Sequence, residues 1–248
     1  PRLDKPKSKR ARKGKEPGIV DKILAPYRWL VKWSFRTALA LIVLTLAIVT
    51  LFGVISPPTT HTMWSEGRRL GAPVDQVWVD ASQIAPVMFR SAVAAEDANF
   101  CLHWGFDVEA IQAAIEAGGS RGASTISQQV VKNVFLWQQR SWFRKGMEAV
   151  LTPVTEAMWS KRRILELYLN VAEFDEGVFG VQAAAQHYFG VNARDLSAVQ
   201  ASRLAAVLPS PKKRSASNPS NFVERRARSI RAGAETINQD GRAACFQE

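Results

Sequence analysis

The chain has 248 residues and a formal net charge of +11. Residues 1–36 hold 12 Lys/Arg against 3 Asp/Glu, so the other residues hold only 33 − 12 = 21 basic against 22 − 3 = 19 acidic groups. The excess charge therefore belongs to the N-terminal tail. Residues 1–18 contain no aromatic side chain to stack on bases, which argues against a nucleic-acid partner and favours a disordered topogenic segment attracted to anionic lipid.

An uncharged run, TALALIVLTLAIVTLFGVI, follows the tail at 37–55. Its 19 residues span roughly the 30 Å hydrocarbon core of a bilayer at about 1.5 Å per residue, which predicts one transmembrane helix. A cleaved signal peptide is the alternative, but its apolar part is usually only about 7 to 15 residues long. Arg28, Lys32 and Arg36 flank the N-terminal end, so we predict a cytoplasmic N-terminus.

The remaining sequence is interpreted as a linker and membrane-proximal segment at 56–80, followed by one domain at 81–248. From about Ser82 onward, apolar residues recur every three or four positions, which predicts helices almost throughout. One segment, QVWVD at 76–80, alternates as a strand does. We therefore expect a compact, mainly α domain standing on the membrane.

Two cysteines, Cys101 and Cys245, lie in the part of the chain predicted to face outward, where an oxidising compartment would permit a disulfide. They show neither the spacing of metal ligands nor a nearby histidine partner, so zinc is not predicted. A disulfide and two free thiols both remain open at this point.

Adjacent carboxylates, Glu96 and Asp97, end the apolar run of SAVAAEDANF at 91–100. At the end of a helix they face the unfavourable pole of the helix dipole. A solvated helix end would explain them, and so would Asp97 capping the following turn. A cleft that opens at this point is the third explanation.

Two further segments carry polar clusters. In RGASTISQQVVKN at 121–133, Ser124 or Thr125 is the predicted N-cap, and Thr125 and Gln128 stand in capping-box register. The residues Thr125, Gln128, Gln129 and Lys132 share one helix face, which is either solvated or lines a cleft for a hydroxyl-rich substrate. In WFRKGMEAV at 142–150, Arg144, Lys145 and Glu148 are spaced for an ordinary surface ion pair.

Five segments, in order and spacing, resemble the signature motifs of glycosyltransferase family 51, the peptidoglycan polymerases: EDANFCLHWGFD, GASTISQQVVKN, RKGMEAV, KRRILELYLN and GVFGVQAAAQHYFG. The resemblance covers about residues 80–212 and implies a mainly α, lysozyme-like, two-lobed domain. Too little sequence follows position 210 for a transpeptidase, so we expect the monofunctional branch of the family. Gly122-Ala123 replaces the usual double glycine, and Ser127 replaces the usual second threonine; both changes keep a small residue or a hydroxyl.

The resemblance also implies the chemistry. Lipid II would be polymerised into β-1,4-linked glycan chains with release of undecaprenyl diphosphate, by inverting transfer with Glu96 as general base. Glu148 would be the second catalytic glutamate, orienting cations or helping to hold a divalent ion, Mg or Mn, at the diphosphate; no cofactor is expected to be obligatory. The substrate-binding residues implied are Asp97, Ser124, Thr125, Gln128, Gln129, Lys132, Arg144 and Lys145.

The implied location is the bacterial inner membrane, with a periplasmic catalytic domain. The implied partners are lipid II, the nascent glycan chain, membrane lipid and other cell-wall synthases. The segment NVFLWQQRSWF at 133–143 interleaves aromatic residues with Arg140, as interfacial segments do, although core packing would also explain it.

Two other functions would also explain part of the sequence. A lysozyme-like or lytic enzyme would also use carboxylates, but it needs no cluster of cations for a diphosphate. A non-enzymatic scaffold would leave the five motifs unexplained.

Overall fold

The computed structural model describes residues 19–118, 122 and 124–247. Residues 1–18 of the tail that is predicted to be disordered lie outside the described residues, and so does Ala123 of the second motif. The chain divides into two compact units, residues 1–48 and 49–248.

Helix α1 (Ile19–Val54) runs through the first unit and ends in the second. Its stretch Pro26–Val54 is long and apolar enough to cross a membrane, by length and composition. Large apolar side chains along this stretch are exposed, among them Trp29, Phe35 and Ile42. The predicted apolar helix is therefore present, and it begins well before the uncharged run at residue 37.

The second unit is mainly helical, as the periodicity predicts. Its helices are α2 (His61–Leu70), α3 (Pro86–Glu96), α4 (Val108–Glu116), α5 (Ile126–Phe135), α6 (Trp142–Met158), α7 (Lys161–Val171), α8 (Val181–Phe189), α9 (Ala198–Val207), α10 (Asn221–Gln239) and α11 (Ala244–Gln247). Helix α2 lies inside the segment interpreted as a linker, and the sequence analysis did not predict it.

A small sheet completes the unit, with strands β1 (Asp75–Gln76), β2 (Glu173–Asp175) and β3 (Val178–Phe179) in the order β1-β3-β2. Strand β3 is parallel to β1 and antiparallel to β2. The predicted strand at 76–80 is thus strand only at its first residue. Strands β2 and β3 were not predicted, because two or three residues are too few to show alternation.

The core is built around α7, whose Ile164, Leu165, Leu167 and Leu169 are fully buried. Helix α5 packs against α6 and α7, while α3, α9 and α10 pack against one another. The loop between α3 and α4 therefore stands where these two helix groups meet. The N–H of Ile126, the first residue of α5, donates to Asp97, the residue after α3, at 3.0 Å, so the end of α3 lies beside the beginning of α5.

The last two turns of α1 are anchored within the second unit. The indole Nε1 of Trp159 donates to the Val49 carbonyl at 2.7 Å, and two guanidinium nitrogens of Arg163 donate to the Phe52 carbonyl at 3.1 and 3.0 Å. The Phe52 ring stacks on Phe135, whose ring in turn lies 5.8 Å from that of Trp159. The segment 133–143 therefore divides: Phe135 packs inward, whereas Trp142 and Phe143 at its other end are exposed.

Candidate active site

Glu96 is the last residue of α3, and its side chain is 13% exposed. Its Oε2 accepts a hydrogen bond from the Gln129 side-chain amide on α5 at 3.0 Å. A guanidinium nitrogen of Arg226, on α10, lies 4.0 Å from its Oε1. The carboxylate of Glu96 is thus held in place by a neutral donor. The guanidinium of Arg226 lies at the greatest distance that still counts as an ion pair.

Burial raises the pKa of Glu96, since the charged form loses hydration. The Gln129 amide and then the positive charges of Arg226, Lys132 and Arg214 pull the pKa back toward its ordinary value. The outcome is a carboxyl group whose pKa lies above that of an exposed glutamate. Such a group is a stronger proton acceptor when it is ionised.

Asp97 is buried, and both of its oxygens are used within the protein. Its Oδ1 lies 2.8 Å from Nε2 of His103, and its Oδ2 accepts from the Ile126 backbone N–H, at the first turn of α5, at 3.0 Å. Of the three sequence explanations, a solvated helix end is not what the structure shows. Its side chain does not cap the following turn either, because its oxygens are used by His103 and by the first N–H of α5, and this second bond fixes the residue next to Glu96 against α5.

The loop after Asp97 is held by a buried ion pair. Lys161 donates to the His103 carbonyl and to Glu156, both at 2.8 Å, and it lies 4.4 Å from the centre of the Phe100 ring. Glu156 also accepts from the Ser127 hydroxyl. This explains why a hydroxyl suffices where the family usually has threonine, and it ties the loop to α5, α6 and α7 together.

Gly105 is required in this loop for two reasons. Its φ of +84° is unfavourable for any residue with a side chain. A Cβ atom at this position would also lie 2.6 Å from the Thr152 side chain. The Gly105 carbonyl in turn accepts the Thr125 hydroxyl at 2.7 Å, which joins the loop to the start of α5.

The C-terminal segment covers the same loop. Cys101 and Cys245 form a disulfide, which decides the alternative that the sequence left open. A guanidinium nitrogen of Arg242 donates to the Ala98 carbonyl at 3.3 Å, and the buried Phe246 lies against Phe100. The residues next to Glu96 are therefore fixed from both sides.

Helix α5 carries the next group of predicted residues. Thr125 is its N-cap, and both hydrogen bonds of the capping box with Gln128 are present. These two side chains are buried, so they shape the start of the helix. Gln129 and Lys132 lie further along the same face of α5. Both line an open cavity.

The cluster on α6 is not an ordinary surface ion pair. Glu148 is 3% exposed; its Oε2 accepts from Arg144 Nη1 at 2.7 Å, and its Oε1 accepts from Lys145. The Nε of Arg144 also donates to the Gln139 carbonyl at 3.1 Å. Glu148 thus holds two cations in a fixed position, with Lys145 the more exposed of the two.

A cleft of about 700 Å³ opens beside this cluster and contains no carboxylate among its lining residues: Ser124, Lys132, Gln138, Arg140, Ser141, Trp142, Arg144 and Lys145. Burial lowers the pKa of Lys132, and the charge of Glu148 acts in the opposite direction. No acidic side chain among the described residues lies within ion-pair distance of Lys132. A partly buried cation without a counter-ion, in a cleft of cations, is arranged to meet an anion.

Two neighbouring cavities share residues with this cleft. One of about 240 Å³ contains Glu96, Asp97 and Ser124, and another of about 390 Å³ contains Gln129 and Lys132. The cleft shares Ser124 with the first cavity and shares Lys132 and Gln138 with the second. Most of the predicted residues line this row of cavities, which we call the groove: Glu96, Asp97, Ser124, Thr125, Gln129, Lys132, Arg144 and Lys145. Gln128 and Glu148 are buried behind it and line none of the three cavities.

The sequence analysis missed the two arginines that face Glu96 from the C-terminal part of the chain. Arg226 donates to the Ala95 carbonyl at 3.3 Å as well as approaching Glu96, and Arg214 donates to the Ala206 carbonyl at 2.8 Å. Both lie outside the five motifs. The sequence around Arg226 showed only an amphipathic helix with many arginines, and Arg214 stands in the Pro- and Ser-rich segment SPKKRSASNPS, so no signal singled out either residue.

The donor groups around Glu148 do not fit a divalent cation. Both of its oxygens already accept hydrogen from cationic side chains, which would repel a metal ion. The one group of three candidate ligands among the described residues is Asp97, His103 and Asp107, on the loop. Their oxygens are engaged as well, those of Asp107 by the Ala110 N–H and the Asn99 amide.

Comparisons with known proteins agree with this geometry. The chain matches the family model described as Transglycosylase over residues 65–234. It is 56% identical over 239 residues to a protein of Jannaschia sp. (strain CCS1), covering 96% of this chain and 99% of the relative. It is 50% identical over 225 residues to a protein of Pseudomonas fluorescens (strain SBW25), covering 86% and 89%. Both relatives are named biosynthetic peptidoglycan transglycosylase.

Proposed function

We propose the reaction of this chain from one premise: it belongs to the transglycosylase family and is a peptidoglycan glycosyltransferase. The proposed substrate is lipid II, a disaccharide-pentapeptide on a polyprenyl diphosphate. The proposed products are β-1,4-linked glycan and undecaprenyl diphosphate. The observation that carries the proposal is the groove itself, which joins the partly buried carboxylate of Glu96 to a cleft that is lined by the cations Lys132 and Arg144 and by no carboxylate.

Glu96 is the proposed general base. The 4-hydroxyl of the acceptor GlcNAc attacks the anomeric carbon of the donor MurNAc while Glu96 takes the hydroxyl proton. General-base assistance of this kind typically contributes about 10²- to 10⁴-fold. The hydrogen bond from Gln129 fixes one carboxylate oxygen, which leaves Oε1 directed toward the acceptor. A single displacement inverts the anomeric centre and needs no covalent intermediate.

The cationic cleft is the proposed site of the leaving diphosphate. The bond from the anomeric carbon to the diphosphate oxygen breaks, and negative charge grows on that oxygen. Lys132, Arg144 and Lys145 stabilise this charge, with the guanidinium of Arg144 suited to grip two phosphate oxygens at once. Glu148 orients the cations, and the reaction uses no metal ion at Glu148.

Two exposed aromatic residues at the cleft support its position at the membrane surface. Trp142 lines the cleft and is 91% exposed, and the neighbouring Phe143 is also exposed. We place these aromatic side chains in the outer leaflet of the inner membrane, so that the lipid tail of the donor leaves the cleft sideways. The N-terminus is then cytoplasmic and the catalytic unit periplasmic. A reporter fused after Glu248 that is active only in the cytoplasm would contradict this topology.

The test of the reaction is incubation of purified full-length protein with lipid II, followed by separation of the products. We expect long glycan chains in wild type and none in Glu96→Gln. A parallel reaction with preformed glycan tests the lytic alternative, which requires shortened chains and no polymer from lipid II. A third reaction with a chelator should run at the normal rate, because the proposed transfer has no obligatory metal ion.

A further inference from the structure

A second basic pocket lies between α3, the start of α9 and α10. Its volume is about 380 Å³, and its lining residues are Val87, Arg90, Ala198, Arg228, Arg231, Ala232, Ala234 and Glu235. None of these residues lines the groove that contains Glu96 and Lys132. The pocket is therefore a separate feature that the proposed reaction does not use.

Its three arginines have no internal partners. The side chains of Arg90, Arg228 and Arg231 make no hydrogen bond or ion pair with any described residue. The Nε of Arg90 is buried without an acceptor, and an unsatisfied buried donor destabilises a fold. Such groups in a native structure call for a ligand or another explanation.

The charges in the pocket are also uncompensated. Arg228 and Arg231 stand one turn apart on α10, and like charges at this spacing repel each other. The one acid of the pocket, Glu235, stands four residues after Arg231, where an ion pair would be expected. It instead accepts a hydrogen bond from Gln239 at 2.8 Å. Elsewhere on the same helix, Glu224 does pair with an arginine, Arg203, at 3.0 Å.

The start of α9 adds a weaker positive contribution. Ser197 caps this helix with its side chain, and Ala198 at the first helical position lines the pocket. The N-terminal end of a helix carries partial positive charge and attracts anions. Three arginines and one glutamate leave the lining with two positive charges in excess, which matches a doubly charged anion.

We propose that this pocket binds a phosphate-type dianion, either free phosphate or diphosphate or the phosphate of a lipid headgroup. Guanidinium groups grip phosphate oxygens through paired N–H donors, which suits three arginines around one cavity. An anion there would satisfy the buried Arg90 donor and relieve the repulsion between Arg228 and Arg231. The site lies on α3, the helix that ends at Glu96.

The test uses the detergent-solubilised full chain and isothermal titration calorimetry with sodium diphosphate. All proteins carry Lys132→Gln, Arg144→Gln and Lys145→Gln, which remove the three cations proposed to bind the diphosphate in the groove, so that the remaining binding reports on the second pocket. We expect the double change Arg228→Gln and Arg231→Gln to weaken binding at least about tenfold, through loss of charge-assisted hydrogen bonds. Arg225→Gln, an exposed arginine of the same helix outside the pocket, is the matched control and should bind normally.

Both changed arginines are exposed, so the double variant should keep its melting temperature in the absence of anion. Arg90→Gln is a second variant and should weaken binding too. Equal affinity in the double variant and the parent would overturn the proposal, and so would an equal loss in Arg225→Gln, which would indicate general charge attraction.

Two further probes identify the source of the anion. Glycerol phosphate binding more tightly than inorganic phosphate, with the same dependence on Arg228 and Arg231, indicates a lipid headgroup. The reverse order indicates a free phosphate, and either order supports the proposal. A hexaglutamate peptide that binds through these arginines while neither phosphate probe binds would overturn it in favour of an acidic protein segment.

Discussion

Glu96, which is partly buried, and Glu148, which is buried, lie near the same groove, yet their surroundings differ. Each oxygen of Glu148 is bound by a cation, with Arg144 at 2.7 Å and Lys145 beside it. Glu96 accepts one hydrogen from a neutral amide, and Arg226 stays 4.0 Å away. One carboxylate is neutralised by its neighbours, whereas the other is left able to accept a proton.

The difference shows how one cleft can give two glutamates separate tasks. A general base needs a free lone pair and gains from a raised pKa; at Glu96 the absence of a tight ion pair leaves a lone pair free, and burial raises the pKa. A residue that orients cations needs the opposite, because removing either partner of a buried pair leaves an uncompensated charge. Glu148 is placed for this second task.

The strongest test of the contrast is Glu96→Gln. Glutamine keeps the size and the contact with Gln129 but cannot take a proton, so turnover should fall by about two orders of magnitude or more, while lipid II binding survives. Single-turnover rates and lipid II affinity measure the two effects separately. Glu109→Gln, an exposed glutamate on α4, should behave as wild type. Substantial polymerisation by Glu96→Gln at neutral pH would show that this carboxylate is not the base.

The next effect in size should come from Arg144→Ala. It removes a buried guanidinium that contacts Glu148 and the proposed diphosphate, which should weaken donor binding by about 1.5 to 3 kcal/mol. Polymerisation rates at a series of lipid II concentrations measure this loss. The control is Arg194→Ala, whose side chain is 60% exposed. A normal rate in Arg144→Ala would reduce the cluster to a structural ion pair.

Glu148→Gln should have a smaller effect of a different kind. It releases both cations from a fixed position without removing their charge, so donor affinity should fall by about 1.5 kcal/mol, roughly tenfold. Its loss of donor affinity should exceed that of Glu96→Gln, while its loss of turnover at saturating substrate should be less. If Glu96→Gln lost more donor affinity and Glu148→Gln lost more turnover, Glu148 would be the base and Glu96 would orient the cations.

Features that depend on neighbouring residues were predictable from the sequence. The capping box of Thr125 and Gln128 formed as predicted, because both partners lie within one helical turn. The ion pairs of Arg144 and Lys145 with Glu148 follow from spacing on one helix in the same way. Spacing alone could not show that Glu148 is buried, because burial depends on how α6 packs.

Features that depend on distant segments were not predictable. The disulfide joins cysteines 144 residues apart, and no local pattern indicates such a pairing. Asp97 caps α5 through Ile126, 29 positions further along the chain, which only the packing of α3 near α5 brings about. Arg226 approaches Glu96 from α10 for the same kind of reason, so the helix periodicity predicted α10 without predicting its part in the site.

The smallest effect should come from Arg226, the cation nearest to Glu96. It is measured as a change in how polymerisation depends on pH. The base acts when ionised, so activity is lost as pH falls through the pKa of Glu96. Burial has already raised that pKa, and the charge of Arg226 is among the groups that hold it down. Arg226→Gln should therefore move the acidic limb of the rate profile to higher pH, with only a few-fold loss on the limb and a normal rate at alkaline pH.

Arg226→Lys keeps the charge and should restore the limb, whereas Glu96→Gln should show no such limb at all. Full profiles of kcat/KM against pH for the three variants separate charge from structure, because a purely structural role for Arg226 would lower the rate by the same factor at every pH. An unshifted limb in Arg226→Gln would mean that the 4.0 Å separation is too great for this guanidinium to act on Glu96. The pKa of Glu96 would then be set by burial, by the Gln129 amide and by the more distant charges of Lys132 and Arg214, with no contribution from its nearest cation, in full contrast to Glu148.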